Sequence, residues 1–232
     1  MTAELNPAQT EEKVPPVGPY KMVVFDWDGT ILDTTAAIVI SIQYAAEKLG
    51  LPVPSTSVCR SVIGLGWRDA IRIVAPTCPP EEFQQFGAFY VERYKPEEPK
   101  VHLFEGIRAL LEDLQKNGVT LAIATGKSRR GLNQVLERTG IGPLFSETAT
   151  ADENPSKPDP AMLERIGLAT GFTPEDTIMV GDTTHDLGMA RAWGCRAIGV
   201  TYGAMTREML AAEPSAAIVA SVGELRKALG LD

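Results

Sequence analysis

A chain of 232 residues can bury one sizeable core with an inserted subdomain, or two small domains. Its net charge of −8 and the lack of a basic stripe argue against a nucleic-acid partner, so an anionic substrate has to be held by a few placed cations. Cys59, Cys78 and Cys195 are odd in number, widely spaced and free of any Cys-x-x-Cys pattern, which points to reduced thiols in a cytoplasmic setting and to no zinc cluster.

Residues 1–19 are rich in Glu, Pro and Thr, with neither a basic nor an apolar leader segment, and read as a flexible tail. The chain contains no run of transmembrane length, so no membrane partner is expected. The first apolar run, Met22-Val23-Val24-Phe25, ends in Asp26-Trp27-Asp28-Gly29-Thr30. Side chains alternate along a strand, so Asp26 and Asp28 share a face and Trp27 points away. Two close carboxylates raise each other's pKa unless a cation or donors compensate, which predicts a metal site or split acid and base roles. A strand ending in a polar turn is the plainer alternative.

Residues 33–50 carry a helix pattern closed by Gly50, and 58–75 and 81–94 read as two more helices joined by the Pro-rich turn 76–80. A stiff charged linker, 96–99, precedes a helix over 105–117 closed by Gly118. From there short apolar strands alternate with helices: strands at 119–124, 147–149, 177–180 and 197–200, and helices at 128–139, 159–170 and 184–193. Ile218 and Val219 add a short edge strand, and 222–229 a terminal helix. The alternation predicts an α/β fold, a doubly wound parallel sheet with helices on both faces. The economical division is an α/β core of 20–33 and 102–232 with a helical cap, 34–101, inserted after the first strand. Such sheets bind ligands beyond the carboxyl ends of their strands, where Asp26 and Asp28 lie, and the cap is placed to close over them.

Three later strand ends supply partners. Thr125-Gly126-Lys127-Ser128 sets a hydroxyl and backbone N–H groups before a helix, an anion-binding arrangement, with a simple cap as the alternative for Thr125. A P-loop needs glycine where Leu121 stands, which sets nucleoside triphosphates aside. Lys157 sits on a stiff segment because Pro158 keeps it extended, while Asp159 as N-cap and Pro160 at the first helical position start the next helix. That placement suits a phosphate-neutralising lysine better than an ordinary exposed one. Asp182 ends a strand, and Asp186 lies one helical turn on, so four carboxylates crowd one rim. Such crowding suits a hard cation with oxygen ligands, and Mg²⁺ fits. His185 is expected to face solvent, and His102 carries no motif.

Asp26-x-Asp28-Gly-Thr, Thr125-Gly126, Lys157-Pro158 and Gly181-Asp182-x-x-x-Asp186, in this order, resemble the four motifs of the haloacid dehalogenase-like hydrolases. The helical insert after the first motif resembles the cap of phosphoglycolate phosphatases and β-phosphoglucomutases. The resemblance implies that Asp26 is a nucleophile forming an aspartyl-phosphate, and that Asp28 protonates the leaving alcohol and then activates water. It implies that Thr125, Gly126 and Lys157 hold the phosphoryl group. Asp26, the Asp28 carbonyl and Asp182 would hold Mg²⁺, with Asp186 in support. Asp28 argues against a dehalogenase, and Thr30 favours a phosphatase over a phosphomutase. The substrate expected is a small phosphorylated metabolite, phosphoglycolate-like or a sugar phosphate. Its selection would fall to the cap, where Gly64-Leu65-Gly66-Trp67-Arg68 could dip toward the site with Arg68 or Arg60 on a carboxylate or sugar. A joining turn with solvated arginines is the alternative there. A phospho-acceptor signalling module is the reading from a different class; such modules usually lack a cap and a general acid beside the nucleophile.

Overall fold

The computed structural model describes residues 17–231. The expected tail therefore lies outside the described residues except for 17–19. There Val17 donates its N–H to the Ala228 carbonyl at 2.8 Å and accepts from the Arg196 guanidinium at 2.6 Å.

Six parallel strands form one sheet: β1 (Met22–Phe25), β2 (Thr120–Thr125), β3 (Glu147–Thr150), β4 (Thr177–Gly181), β5 (Arg196–Val200) and β6 (Ala217–Val219). Their order is β3-β2-β1-β4-β5-β6, so the chain winds outward from β1 on one side and then returns to wind outward on the other. The switch point falls between β1 and β4, whose carboxyl ends deliver Asp26 and Asp182.

Strand β1 shows why the sheet is covered on both faces. Val23, Phe25 and Trp27 pack with Ile123, Val180 and the apolar stripe Ile107, Leu110, Leu111 and Leu114 of a helix at Ile107–Lys116. Met22 and Val24 pack on the opposite face against Met162, Leu163 and Ile166 of a helix at Ala161–Thr170 and Leu187 and Ala190 of one at Thr184–Trp193. A strand buried on both faces has to be apolar throughout, and all four residues of β1 are buried.

In chain order the helices are α1 (Thr35–Lys48), α2 (Thr56–Ser61), α3 (Trp67–Val74), α4 (Phe83–Tyr94), α5 (Ile107–Lys116), α6 (Arg129–Thr139), α7 (Ala161–Thr170), α8 (Thr184–Trp193), α9 (Arg207–Leu210) and α10 (Val222–Ala228). Helices α1 to α4 share a separate core of Ile38, Ile42, Cys59, Ile63, Ile71 and Phe86. The chain enters and leaves this block along adjacent crossings: Asp33 donates to the His102 carbonyl at 3.0 Å and Phe104 to that of Ile31 at 3.1 Å.

Two helix expectations are corrected. The helix anticipated over 58–75 is split into α2 and α3, because Gly64 takes a left-handed φ of 88° that a helix cannot carry and Gly66 becomes the cap of α3. Helix α7 starts one residue later than expected. Pro160 is its N-cap, and the Asp159 carboxylate accepts from Ala161 N–H at 3.0 Å. Helix α9, capped by the Thr206 hydroxyl, was not anticipated in the sequence.

Candidate active site

The site is built from the residues just beyond the carboxyl ends of β1, β2 and β4. Asp26 continues the β1 ladder by one bond, its N–H donating to the Val180 carbonyl at 2.9 Å. The next turn needs Gly29, whose φ is 83° and whose Cβ would stand 2.1 Å from Asp182 Oδ2, so any side chain here would displace the aspartate. Gly203, from the loop after β5, is confined by the same carboxylate oxygen, at 2.2 Å from its hypothetical Cβ.

Asp26, Asp182 and Asp186 are fully buried, and each offers a carboxylate oxygen within 4.8 Å of the others. Lys157 Nζ donates to Asp26 Oδ1 and Asp186 Oδ1, both at 2.6 Å. Both Asp186 oxygens are engaged, since Oδ2 accepts from Thr183 N–H at 3.1 Å and from its hydroxyl at 2.7 Å. Asp182 is oriented by the Thr30 hydroxyl at 3.0 Å on Oδ1 and by Ala204 N–H at 2.6 Å on Oδ2. Asp26 Oδ2 is buried without a hydrogen-bond partner among the described residues.

Burial drives the Asp26 carboxyl up to about 7; Lys157 opposes that rise, while Asp186 and Asp28 add to it. Asp182 is raised well above the usual carboxylate range by burial first and then by Asp26 and Asp186. Burial acts against the charge of Lys157, but Asp186 and Asp26 outweigh it and hold the ammonium above the ordinary lysine range. Three carboxylates thus face one ammonium, an imbalance that a buried site tolerates poorly. An all-oxygen donor set, an excess of negative charge and an orphaned carboxylate oxygen fit a divalent hard cation.

Asp28 lies apart from that triad with partners of its own. Its Oδ1 accepts from the Thr34 hydroxyl at 2.8 Å and pairs with Lys127 Nζ at 3.1 Å. Thr125 is fully buried at the end of β2, and its Oγ1 accepts from Lys127 N–H at 3.2 Å, which leaves its own hydroxyl proton to donate. Two of the first N–H groups of α6 are engaged within the chain. Arg129 N–H is already taken by Asp152 at 2.9 Å, and Gly131 N–H by Ser128 at 3.2 Å.

The cap touches every one of these loops. The Gly64 and Leu65 carbonyls press on Gly126, where a Cβ would come within 2.6 and 2.5 Å of them. Ser156 Oγ, beside Lys157, accepts from Gly66 N–H at 2.7 Å, and His185 Nε2 meets the Ser61 carbonyl at 2.8 Å. His185 therefore faces the cap and not open solvent. Gly64 reaches the site as the sequence suggested, but the other cap candidates do not. Arg60 donates to the carbonyls of Ala204 at 2.8 Å and Gly203 at 2.6 Å, so its guanidinium is committed to backbone. Trp67 is exposed on the cap with its ring against Phe86 and Tyr90, and Arg68 is exposed with no ion pair among the described residues.

Lys127 and Thr34 join the site without having been expected there. Lys127 stands directly after Thr125-Gly126 at a strand end, a signal visible in the sequence but masked by the likeness of Gly-Lys-Ser to a P-loop. Thr34 has no motif to mark it. A groove of 390 Å³ also opens at the seam, lined by Asp33, Val39, Gln43, Arg60 and Tyr202 among others. It excludes the buried aspartates, and it holds neither the orphaned oxygen nor the buried ammonium that mark the reactive centre.

The family of haloacid dehalogenase-like hydrolases matches residues 23–200. A phosphoglycolate phosphatase of Vibrio cholerae is 32% identical over 204 residues, covering 84% of this chain and 90% of that protein. "Probable phosphatase IndB" of Dickeya dadantii is 37% identical over 201 residues, covering 83% and 86%. A crystal structure described as a "predicted phosphatase from Clostridium acetobutylicum" superposes with a TM-score of 0.79 at 27% identity, over 90% of this chain and 98% of that one. The chain belongs to the haloacid dehalogenase-like hydrolases. Within them it is phosphoglycolate phosphatase-like, a phosphoric monoester hydrolase.

Proposed function

We propose that the protein hydrolyses a small phosphate monoester with the help of Mg²⁺, through an aspartyl-phosphate on Asp26. The observation that carries this reading is the buried Asp26 carboxylate, with one oxygen fixed by Lys157, the other without a partner among the described residues, and carboxylate oxygens of Asp182 and Asp186 within 4.8 Å of one of its own. Asp26, Asp182 and the Asp28 carbonyl would hold the ion. Asp186, both of whose oxygens are engaged, would orient Lys157 and support the site. When bound, Mg²⁺ would offset charge on the phosphoryl oxygens.

The chain's own groups account for the bond changes. Lys157, the Thr125 hydroxyl and the 125–127 turn orient the phosphoryl group, and the Asp26 carboxylate attacks phosphorus as the bond to the alcohol oxygen breaks. Asp28, as general acid, gives a proton to that oxygen. Water then attacks the same phosphorus while Asp28, now a carboxylate, takes the water proton; the bond to Asp26 breaks and inorganic phosphate leaves. Thr34 and Lys127 keep Asp28 on the reacting side, and the Lys127 charge balances the carboxylate during the second half.

The close approach of 64–65 to Gly126 supports a small leaving group. Two-carbon phosphoglycolate, named for the Vibrio cholerae relative, heads the candidates, with sugar phosphates next. The buried free thiols Cys59, Cys78 and Cys195 support a reducing, cytoplasmic setting. A panel of phosphate esters, assayed for inorganic phosphate, tests the reading. Release should require Mg²⁺, stop with EDTA and be lost in Asp26→Asn. Full turnover by that variant would overturn the nucleophile assignment, and isomerised sugar phosphate without phosphate release would mark a mutase.

A further inference from the structure

We propose that Arg60 is a positioning residue that couples closure of the cap to divalent-cation binding at Asp182; this rests on the reading of Asp26 and Asp182 as cation ligands. The link runs through one short loop. Arg60, in α2 of the cap, grips the 203–204 backbone with two charged hydrogen bonds, Nε to the Ala204 carbonyl at 2.8 Å and a terminal nitrogen to the Gly203 carbonyl at 2.6 Å. Ala204 then passes the contact on, because its N–H donates to Asp182 Oδ2 at 2.6 Å. Its side chain is 4% exposed and belongs to the apolar cluster of the cap, not to either core cluster. A single residue is therefore held by the cap through its carbonyl and methyl while holding the aspartate through its amide.

The rest of the loop has little room to take up slack. Gly203 is packed so closely on Asp182 and on the Gly29 carbonyl that a Cβ would meet them at 2.2 and 2.3 Å. Tyr202 reaches the Thr30 carbonyl at 3.3 Å, and the Thr30 hydroxyl is the second donor to Asp182. Releasing Arg60 frees the backbone that aims Asp182 without touching any ligand. Thermodynamic reciprocity adds a second expectation: if closure favours the ion, the ion favours closure.

The test is an electron paramagnetic resonance titration of Mn²⁺ into the full chain, comparing the wild type with Arg60→Met, Arg60→Lys and Asp182→Asn. Arg60→Met should bind Mn²⁺ about fivefold to tenfold more weakly, within the ordinary range of coupling between sites. Arg60→Lys, which keeps the charge but lacks the fork needed to span two carbonyls, should fall between Arg60→Met and the wild type. The Mn²⁺ concentration for half-maximal turnover should rise by the same factor. Wild-type Mn²⁺ affinity in Arg60→Met, with binding lost in Asp182→Asn, overturns the coupling and leaves the cation site standing. A wild type that takes up no Mn²⁺, or undiminished binding in Asp182→Asn, overturns both. Should Arg60→Met fail to fold, deuterium exchange of the wild type decides. Mn²⁺ should slow exchange at 203–205 and also across 60–66 of the cap, and protection confined to the core overturns the coupling.

Discussion

Asp28 and Lys127 face each other at 3.1 Å across the carboxyl edge of the sheet, and Lys127 also lies over the Tyr94 ring, 5.4 Å from its centroid. Tyr94 ends the last cap helix, so the cation beside Asp28 is seated on the cap. Burial acts against its charge, but Asp28 and Tyr94 outweigh it and hold Lys127 above the ordinary lysine range. Replacement by methionine would leave Asp28 with Thr34 as its remaining partner and remove the cation that balances its charge. Lys127→Met should lower kcat by about tenfold to a hundredfold, less than the roughly hundredfold to ten-thousandfold that a proton-transfer group itself contributes, because Lys127 acts on Asp28 and not on the substrate. Steady-state kinetics check it, and a kcat within twofold of the wild type would show that Asp28 works without Lys127.

Addition of Mg²⁺ should stabilise the wild type, because three buried carboxylates face one ammonium in its absence. At a hundred times its dissociation constant a ligand adds about 2.7 kcal/mol, which for a chain of this size corresponds to about 5–10 °C in Tm. Asp182→Asn should lose that increment. Thermal unfolding with Mg²⁺ and with EDTA measures it, and an equal rise in the variant would place the ion elsewhere.

Much of this centre was legible from strand ends. The alternation through Met22 to Asp28 put both aspartates on one face and Trp27 in the opposite layer, and Trp27 does pack with Val23 and Phe25. Strand positions carry over to space because parallel neighbours share a register: Phe25 lies level with Ile123 and Val180, so the residues just past each strand meet at one rim. Cap contacts were not legible in this way. Arg60 lies 144 residues from Ala204, and no local pattern states which loop an insert will rest on. The sequence offers two readings of Gly64, inside a helix over 58–75 and in a glycine-flanked segment dipping toward the site; its left-handed φ of 88° and the approach of its carbonyl to Gly126 agree with the second.

Glu153 gives a pH signature away from the centre. Hydrogen bonds from Arg129 and then Arg165 lower its carboxyl from 4.5 to about 2. The folded form is thus the stronger acid, so the stabilisation is full above about 4.5 and is lost as pH falls toward about 2. With 37% of the side chain exposed, the effect is screened and small. Glu153→Gln should lower Tm slightly at neutral pH, where the pairing is present, and converge with the wild type as pH falls toward about 2, which flattens its fall between these limits; the same acid slope in both proteins would show the arginine contacts to be without weight.

Gly126 separates cap closure from ion binding. The carbonyls of Leu65 and Gly64 stand 2.5 and 2.6 Å from where its Cβ would be, and backbone cannot swing aside as a flexible side chain does. Gly126 is itself outside the carboxylate triad, so alanine here should lift the 64–66 turn away from the 125–127 turn without disturbing Asp26, Asp182 or Lys157. For a small substrate the cap supplies much of the enclosure, and a displacement of about 1 Å in such a site costs on the order of a hundredfold. Gly126→Ala should therefore lower kcat/KM by about ten to a hundredfold while its Mn²⁺ affinity falls less than that of Arg60→Met, whose contact leads directly to Asp182. Wild-type kcat/KM in Gly126→Ala would mean that turnover does not need the cap seated as it is here. A loss of Mn²⁺ binding equal to that of Arg60→Met would mean that any loosening of the seam reaches the ion, and that Arg60 has no special path to it.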